Sequence, residues 1–266
     1  MKFKKNVLSI ALVLFSIVPI LSTSAQDKKQ NNYIPTQNDS LALENVFVEQ
    51  YYVSDSSDYA DTIGGILPRG SITYRIYLDL RPGYKVQAIY GKANHEMFIK
   101  TTTSFYNNES CIALTALNVG EKALILGNVA LDSWITVGAA SRMKMGIPKS
   151  DDKDGSIIPK PGLSKQDGLT DGILPLLKTY NLDLSCFKYA KNNGKLTTSN
   201  GAWASLGGTK GPTDENKVLI AQITTNGKLS FELNVQIETG KKDILNFVAK
   251  NPAKSELLFK GLKFNE

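Results

Sequence analysis

Three kinds of residue in this sequence could do chemistry: clustered aspartates, a single histidine and a pair of cysteines. Asp152 and Asp154 alternate ahead of Gly155 in the stretch SDDKDGS. Alternating carboxylates beside a glycine suit the start of a calcium loop, because Ca²⁺ takes hard oxygen ligands from one flexible segment. An EF-hand is ruled out, since the twelfth position, counted from Ser150, falls on Pro161 where a bidentate glutamate is required. Asp55, Asp58 and Asp61 (DSSDYAD) recur at every third residue and form a second candidate calcium loop. Solvated acidic turns are the favoured reading of both stretches, as Asp and Gly are common turn residues. His95 lies in the turn-like segment GKANHE. A histidine base needs a nucleophile and an orienting partner. No G-x-S-x-G elbow exists in the chain, and Glu96 points to the opposite face of an extended segment. His95 therefore reads as a surface or partly buried residue. The run GGTKG (207–211) lacks the Lys-Ser/Thr order of a phosphate loop and runs into Pro212, so it reads as a connector into the next strand.

The same inventory excludes whole classes. One histidine and two cysteines cannot build multi-histidine zinc sites, Cys₄ sites or cysteine-ligated iron–sulfur clusters. Cys111 and Cys186 are 75 positions apart. A disulfide between them would close a loop worth about 4 kcal/mol in the chain-entropy model; two buried free thiols are the other reading. Paired carboxylates for glycoside hydrolysis can be drawn from the 25 acidic residues, but no spacing singles out a pair.

The N-terminus explains part of the formal charge of +6. Lys2, Lys4 and Lys5 precede an apolar run over residues 7–21, and Thr23 and Ala25 sit at −3 and −1 of a cut before Gln26. This pattern predicts a signal peptide over residues 1–25. The run is shorter than the ~20 residues that span a bilayer, and no later stretch is long enough, so the mature chain is expected to carry no transmembrane anchor. Without its three leading lysines the chain has 28 basic and 25 acidic residues, net +3, and only four arginines. That balance argues against a nucleic-acid partner, for which arginine supplies the bidentate contacts. The expected destination is the periplasm, the cell surface or the medium, where a disulfide could persist.

Residues 26–40 are polar and aperiodic and read as a disordered lead, so residues 41–266 form the folded part. Residues 71–80 (SITYRIYLDL) alternate with period two, as do 84–90 after the turn Arg81-Pro82-Gly83. The two are expected to form a hairpin. Residues 45–53, 97–103 and 132–137 read as further strands. A second hairpin is expected across Asn226-Gly227, joining 218–225 to 228–238. Residues 242–250 and 173–180 are the two helical candidates. The whole predicts a mostly β fold, an antiparallel β-sandwich or jelly-roll with one or two short helices. The Asp-, Gly-, Lys- and Pro-rich stretch 148–171 reads as a long surface loop in one domain, or alternatively as a link between two sub-regions.

Tyr51, Tyr52, Tyr74, Tyr77, Tyr84, Tyr90 and Tyr106 concentrate in one part of the chain and suit either sheet faces or interface anchors. The runs VFVEQYYVSDSSDYADT, GSITYRIYLDLRPGYKVQAIYG, FYNNES, ALDSWITVGAAS, GAWASLGG and NKVLIAQITTNGKLSFELNVQI, within residues 46–237, together resemble an uncharacterised β-rich domain of exported Bacteroidota proteins. Such domains occur with type IX secretion sorting tails, whose proline- and asparagine-containing motif is not seen in the closing FKGLKFNE. The resemblance implies context and transfers no catalytic residue. The expected role is a non-enzymatic surface interaction, adhesion or ligand-binding protein, with a cell-surface protein or glycan as partner. A secreted carbohydrate-active hydrolase using two carboxylates is the alternative, and a structural component of an envelope assembly is a third.

Overall fold

A computed structural model describes residues 33–152, 168–188 and 194–266. The signal segment and Asp154 lie outside the described residues. The strands of the first half are β1 (Leu43–Val53), β2 (Ile72–Leu80), β3 (Lys85–Tyr90), β4 (Met97–Thr101), β5 (Trp134–Ile135) and β6 (Met145–Gly146). Those of the second half are β7 (Leu169–Thr170), β8 (Leu177–Tyr180), β9 (Lys195–Thr198), β10 (Ala202–Thr209) and β11 (Lys217–Thr225). They continue with β12 (Leu229–Glu232), β13 (Asn234–Glu238), β14 (Ile244–Val248), β15 (Glu256–Leu258) and β16 (Lys263–Asn265). They assemble into sheets ordered β1-β2-β11-β5, β15-β14-β13-β3-β10-β8 and β16-β12-β4-β9, with β6-β7 as a separate pair. All pairings are antiparallel except β14 with β15. The fold is β-rich, as the alternation of the sequence predicts.

The inward faces of these sheets meet in one apolar cluster. It takes Tyr74, Ile76 and Leu78 from β2, Val86 and Ile89 from β3, and Val235 and Ile237 from β13. Those of β2 and β13 are period-two positions, whereas Val86 and Ile89 lie three apart, across the irregularity where the pairing of β3 with β13 shifts. The other face of β2 is buried as well, because Tyr77 stacks on Phe47 at 5.0 Å and joins Trp134 and Leu219 in a second cluster. A strand covered on both faces replaces the half-buried strand expected.

Both expected hairpins are absent, for one reason. β2 pairs with β1 and β11 whereas β3 pairs with β10 and β13, so the Arg81–Tyr84 turn crosses between sheets. The arms flanking Asn226-Gly227 also separate: β11 stays with β2, and the second arm splits at Leu233 into β12 and β13 of two other sheets. Neither Asn226 nor Gly227 has positive φ, so the two-residue turn that Asn-Gly favours does not form. Glycine is needed there for room, since a Cβ on Gly227 would lie 2.6–2.7 Å from the hydroxyls of Thr101, Thr102 and Thr103.

Both helical candidates are also extended. Residues 244–248 are β14, paired with β13 and β15, and residues 177–180 are β8. The described α-helix is instead α1 (Ser56–Ala60), inside the expected acidic loop. The lead is ordered earlier than expected: Gln37–Ala42 is a 3-10 helix. Strands from before and after 148–171 share three sheets, and Asn32–Glu266 forms one compact unit, so the division into two sub-regions does not hold. GGTKG is no connector either. Gly207 (φ +86°) and Gly208 (φ +70°) form a bulge at the end of β10, where pairing with β3 jumps from Ala204 to Thr209.

Between β4 and β5 the chain has little regular structure, yet 15 of its 32 residues are buried. Side-chain amides take the place of strand partners for its backbone. Asn107 Nδ2 donates to Ser133 O (2.7 Å), Asn108 Nδ2 to Ile63 O (2.6 Å) and Asn128 Nδ2 to Asp58 O (2.9 Å). Gln222 on β11 donates to both Ala130 O and Asp132 O, at 3.1 and 2.8 Å, while accepting from Arg75 Nε at 2.9 Å.

Candidate functional site

The aspartates singled out by spacing serve the backbone. Asp55 is the N-cap of α1, accepting from Ser57 N and Asp58 N, and Asp58 accepts in return from Asp55 N at 2.9 Å. This reciprocal capping box uses the three-residue spacing that suggested a calcium loop. Asp58 also accepts from the Tyr52 hydroxyl at 2.8 Å, and Asp61 accepts from Ile63 N at 3.0 Å. Asp152 is buried and accepts from Gly168 N at 3.0 Å. Among the described residues no three His, Cys, Asp or Glu side chains are grouped to hold a metal ion. Cys111 and Cys186 are free thiols. Cys186 lies in the main apolar cluster and Cys111, half-buried, against the second, so of the two readings the structure has the free thiols. Burial, first of all, pushes the Cys186 thiol up to about 12, the chemistry of an inert core residue.

His95 is buried, with a partner that spacing could not reveal. Its Nε2–H donates to Glu256 Oε2 at 2.9 Å, across 161 positions of sequence. Glu256 also pairs with Lys92 and accepts from Ala253 N at 2.7 Å. Nδ1 of His95 has no hydrogen-bond partner among the described residues. Asn234 Nδ2 holds the turn by donating to the carbonyls of both Tyr90 and His95 at 3.0 Å. The cluster ties β15 to the β3–β4 turn.

Glu256 gives the cluster a pH signature. Burial opposes its ionisation, but Lys92, the Ala253 N–H and the His95 ring outweigh it and hold the carboxyl below the ordinary glutamate value. A carboxyl lowered in the folded state contributes stability that is complete above the unfolded value of about 4.3 and is lost as pH falls through the lowered value. Glu256→Gln is expected to cost about 1–2 kcal/mol at pH 7. Urea midpoints measured from pH 7 down to 3 should show the gap to wild type closing below pH 4. A gap independent of pH would remove Glu256 ionisation as its source.

The structure brings together a different set of residues, around a cavity of about 530 Å³. Three segments build it: the lead from Tyr33 to Asp39, the Arg81–Tyr84 turn and the Thr239–Asp243 turn. Asn216 Nδ2 pins the second by donating to Arg81 O (2.9 Å) and Tyr84 O (3.0 Å). Thr239 Oγ1 pins the third by accepting from Lys241 N (3.2 Å) and Asp243 N (3.1 Å). Asp39 accepts from Thr36 N (2.6 Å), Thr36 Oγ1 (2.7 Å) and the Tyr33 hydroxyl (2.7 Å). Burial opposes its ionisation, yet these donors hold its carboxyl below the usual aspartate range. The hydrogen bond to Asp39 is also the leading cause that raises the Tyr33 phenol to about 12. The side chains of Arg81, Lys241 and Asp243 make no hydrogen bond or ion pair among the described residues. The cavity thus presents two cations, two carboxylates and the rings of Tyr33 and Tyr84.

Sequence reasoning found Arg81 only as a turn residue and Tyr84 only as one of several tyrosines; Tyr33 and Asp39 fell in the lead. Most of the other tyrosines are structural, with Tyr51, Tyr74, Tyr77 and Tyr106 buried. No described helix is long and apolar enough to cross a membrane. Comparison with protein-family models, curated proteins and solved structures finds no match to this chain.

Proposed function

We propose that this chain is an exported, non-enzymatic binding protein that takes a polar ligand of the glycan type in the cavity at Arg81, Tyr84 and Asp243. The observation that carries the reading is the set of uncommitted charged side chains on turns fixed by Asn216 and Thr239. Its volume of about 530 Å³ suits a small ligand. Preset charges and aromatic faces are what bind hydroxyl-rich or anionic ligands at low ordering cost. The signal-peptide pattern and the resemblance to exported Bacteroidota domains supply the compartment.

The same cavity holds two carboxylates, which is the feature the hydrolase alternative requires. A glycosidase needs one of the pair raised so that it can donate a proton. Asp39 is shifted in the opposite direction, so it is not suited to be that acid. A glycan array probed with the exported chain, followed by calorimetry on the best hits, tests the reading. Arg81→Ala and Tyr84→Ala are each expected to weaken binding about tenfold, the effect of losing one anchor. Unchanged affinity in both variants would move the site elsewhere, and release of reducing ends from the bound glycan would support the hydrolase.

A further inference from the structure

A second surface, separate from the polar cavity, lies along β8. This strand is the outer member of the six-stranded sheet and pairs only with β10 among the described residues. Leu206 N donates to Leu176 O at 3.0 Å, which sets the phase of the ladder. By alternation, residues 176, 178 and 180 turn their backbone groups toward β10, and Leu177 and Thr179 turn theirs outward to the open edge. Exposed edges are normally blunted by charge, bulges or cover. Here the strand carries one charge, Lys178, and the side chains around it are apolar: Ile173 is 85% exposed, Leu176 67%, and Tyr180 and Leu206 50% each. Leu176 and Leu206 line a groove of about 540 Å³ together with Ile173, Pro175, Met145 and Pro212. Contiguous apolar exposure of this kind marks interaction surfaces.

The charges around the groove say what fits it. Lys85 is paired with Glu238 and Lys144 with Asp171. Lys178 on β8 and Lys210 beside the groove have no carboxylate partner among the described residues. We infer that the β8 edge and its groove bind an extended peptide segment of a partner protein, one with alternating apolar residues and flanking Asp or Glu. The outward N–H and C=O groups of Leu177 and Thr179 add it as a further strand, the groove takes its apolar side chains, and the two lysines meet its acids. A second copy of this chain is a poorer occupant, because its own edge would set Lys178 and Lys210 against their duplicates. The chain's residues 153–167 are no better matched, as they carry three lysines and two aspartates.

Selection of a random ten-residue peptide display library against the full exported chain tests this. Enriched peptides are expected to alternate apolar residues and to exceed the input library in Asp and Glu. Anisotropy with the enriched peptides should show at least about tenfold weaker binding to Leu176→Glu. Lys178→Glu combined with Lys210→Glu should instead select lysine-bearing peptides. These positions are exposed, and unchanged circular dichroism and melting temperature would confirm that the variants fold. No enrichment, or peptides that bind the variants as they bind wild type, overturns the proposal. A dimer in sedimentation that Leu176→Glu dissociates would assign the edge to a second copy, and peptide binding seen only after deletion of residues 155–165 would assign it to the chain itself. Either result overturns the proposal too.

Discussion

Trp203→Ala is expected to destabilise the protein by about 3–5 kcal/mol, the usual cost of truncating a fully buried tryptophan. Trp203 projects from β10 into the main apolar cluster with no solvent exposure. Its indole Nε1–H donates to Thr136 O at 2.9 Å, in the segment leading away from β5. Truncation therefore opens a cavity and orphans a buried carbonyl at once. A domain of this size has about 5–15 kcal/mol of stability in total, so the change removes a large fraction. Trp203→Phe separates the two losses, because it keeps most of the ring volume and loses the hydrogen bond; it is expected to cost about 1–3 kcal/mol. Urea denaturation followed by circular dichroism measures both. A Trp203→Ala protein within 1 kcal/mol of wild type would mean that β10 does not close the core as described.

Gly91→Ala is expected to cost about 3 kcal/mol, at the upper end of what overpacking normally costs. Gly91 follows β3, and its N–H donates to Gly201 O at 2.8 Å just before β10. A Cβ on Gly91 would lie 2.0 Å from the carbonyl oxygen of Thr198, and one on Gly201 would lie 2.2 Å from that of Asn181. The Thr198 carbonyl, held at the end of β9, cannot rotate aside as a long side chain can. Neither glycine has positive φ, so the penalty is one of contact and not of backbone strain. Gly120→Ala is the matched control: it has ordinary φ and nothing within 4 Å of its Cβ position. Its effect should stay within about 0.5 kcal/mol. Equal thermal shifts for Gly91→Ala and Gly120→Ala would show that the ends of β3 and β9 do not meet so closely.

These two positions show where sequence reading stops. Period-two alternation located β1, β2, β3 and β4, and in the C-terminal arm the alternating Leu229, Phe231, Leu233, Val235 and Ile237 are all buried. It could not assign the strands to sheets. The turns at Arg81-Pro82-Gly83 and Asn226-Gly227 have residues that suit tight reversals, yet both carry the chain from one sheet to another. Alternation reports which side chains share a face; it is silent on which distant strand covers that face. The misread helix over 242–250 has the same origin. Ile244, Leu245, Phe247 and Val248 satisfy helical and extended spacing alike, and pairing with β13 and β15 decided the matter.

The chemistry divides in the same way. The three-residue spacing of Asp55 and Asp58 was visible, and it is equally the signature of a capping box, which is what the chain makes of it. His95 had no company in sequence because Glu256 is 161 positions away. The polar cavity was invisible for a related reason: Tyr33, Arg81 and Asp243 come from a lead and two turns that share no motif. The sequence by itself determined the β-rich class, the apolar face of most strands and the shortage of soft metal ligands, because these depend on residue type and on local periodicity. Tertiary structure alone decided sheet membership, the free state of Cys111 and Cys186, the burial of His95 and the meeting of charged turns around a cavity. Those depend on contacts between residues far apart in the chain, which neither spacing nor composition encodes locally.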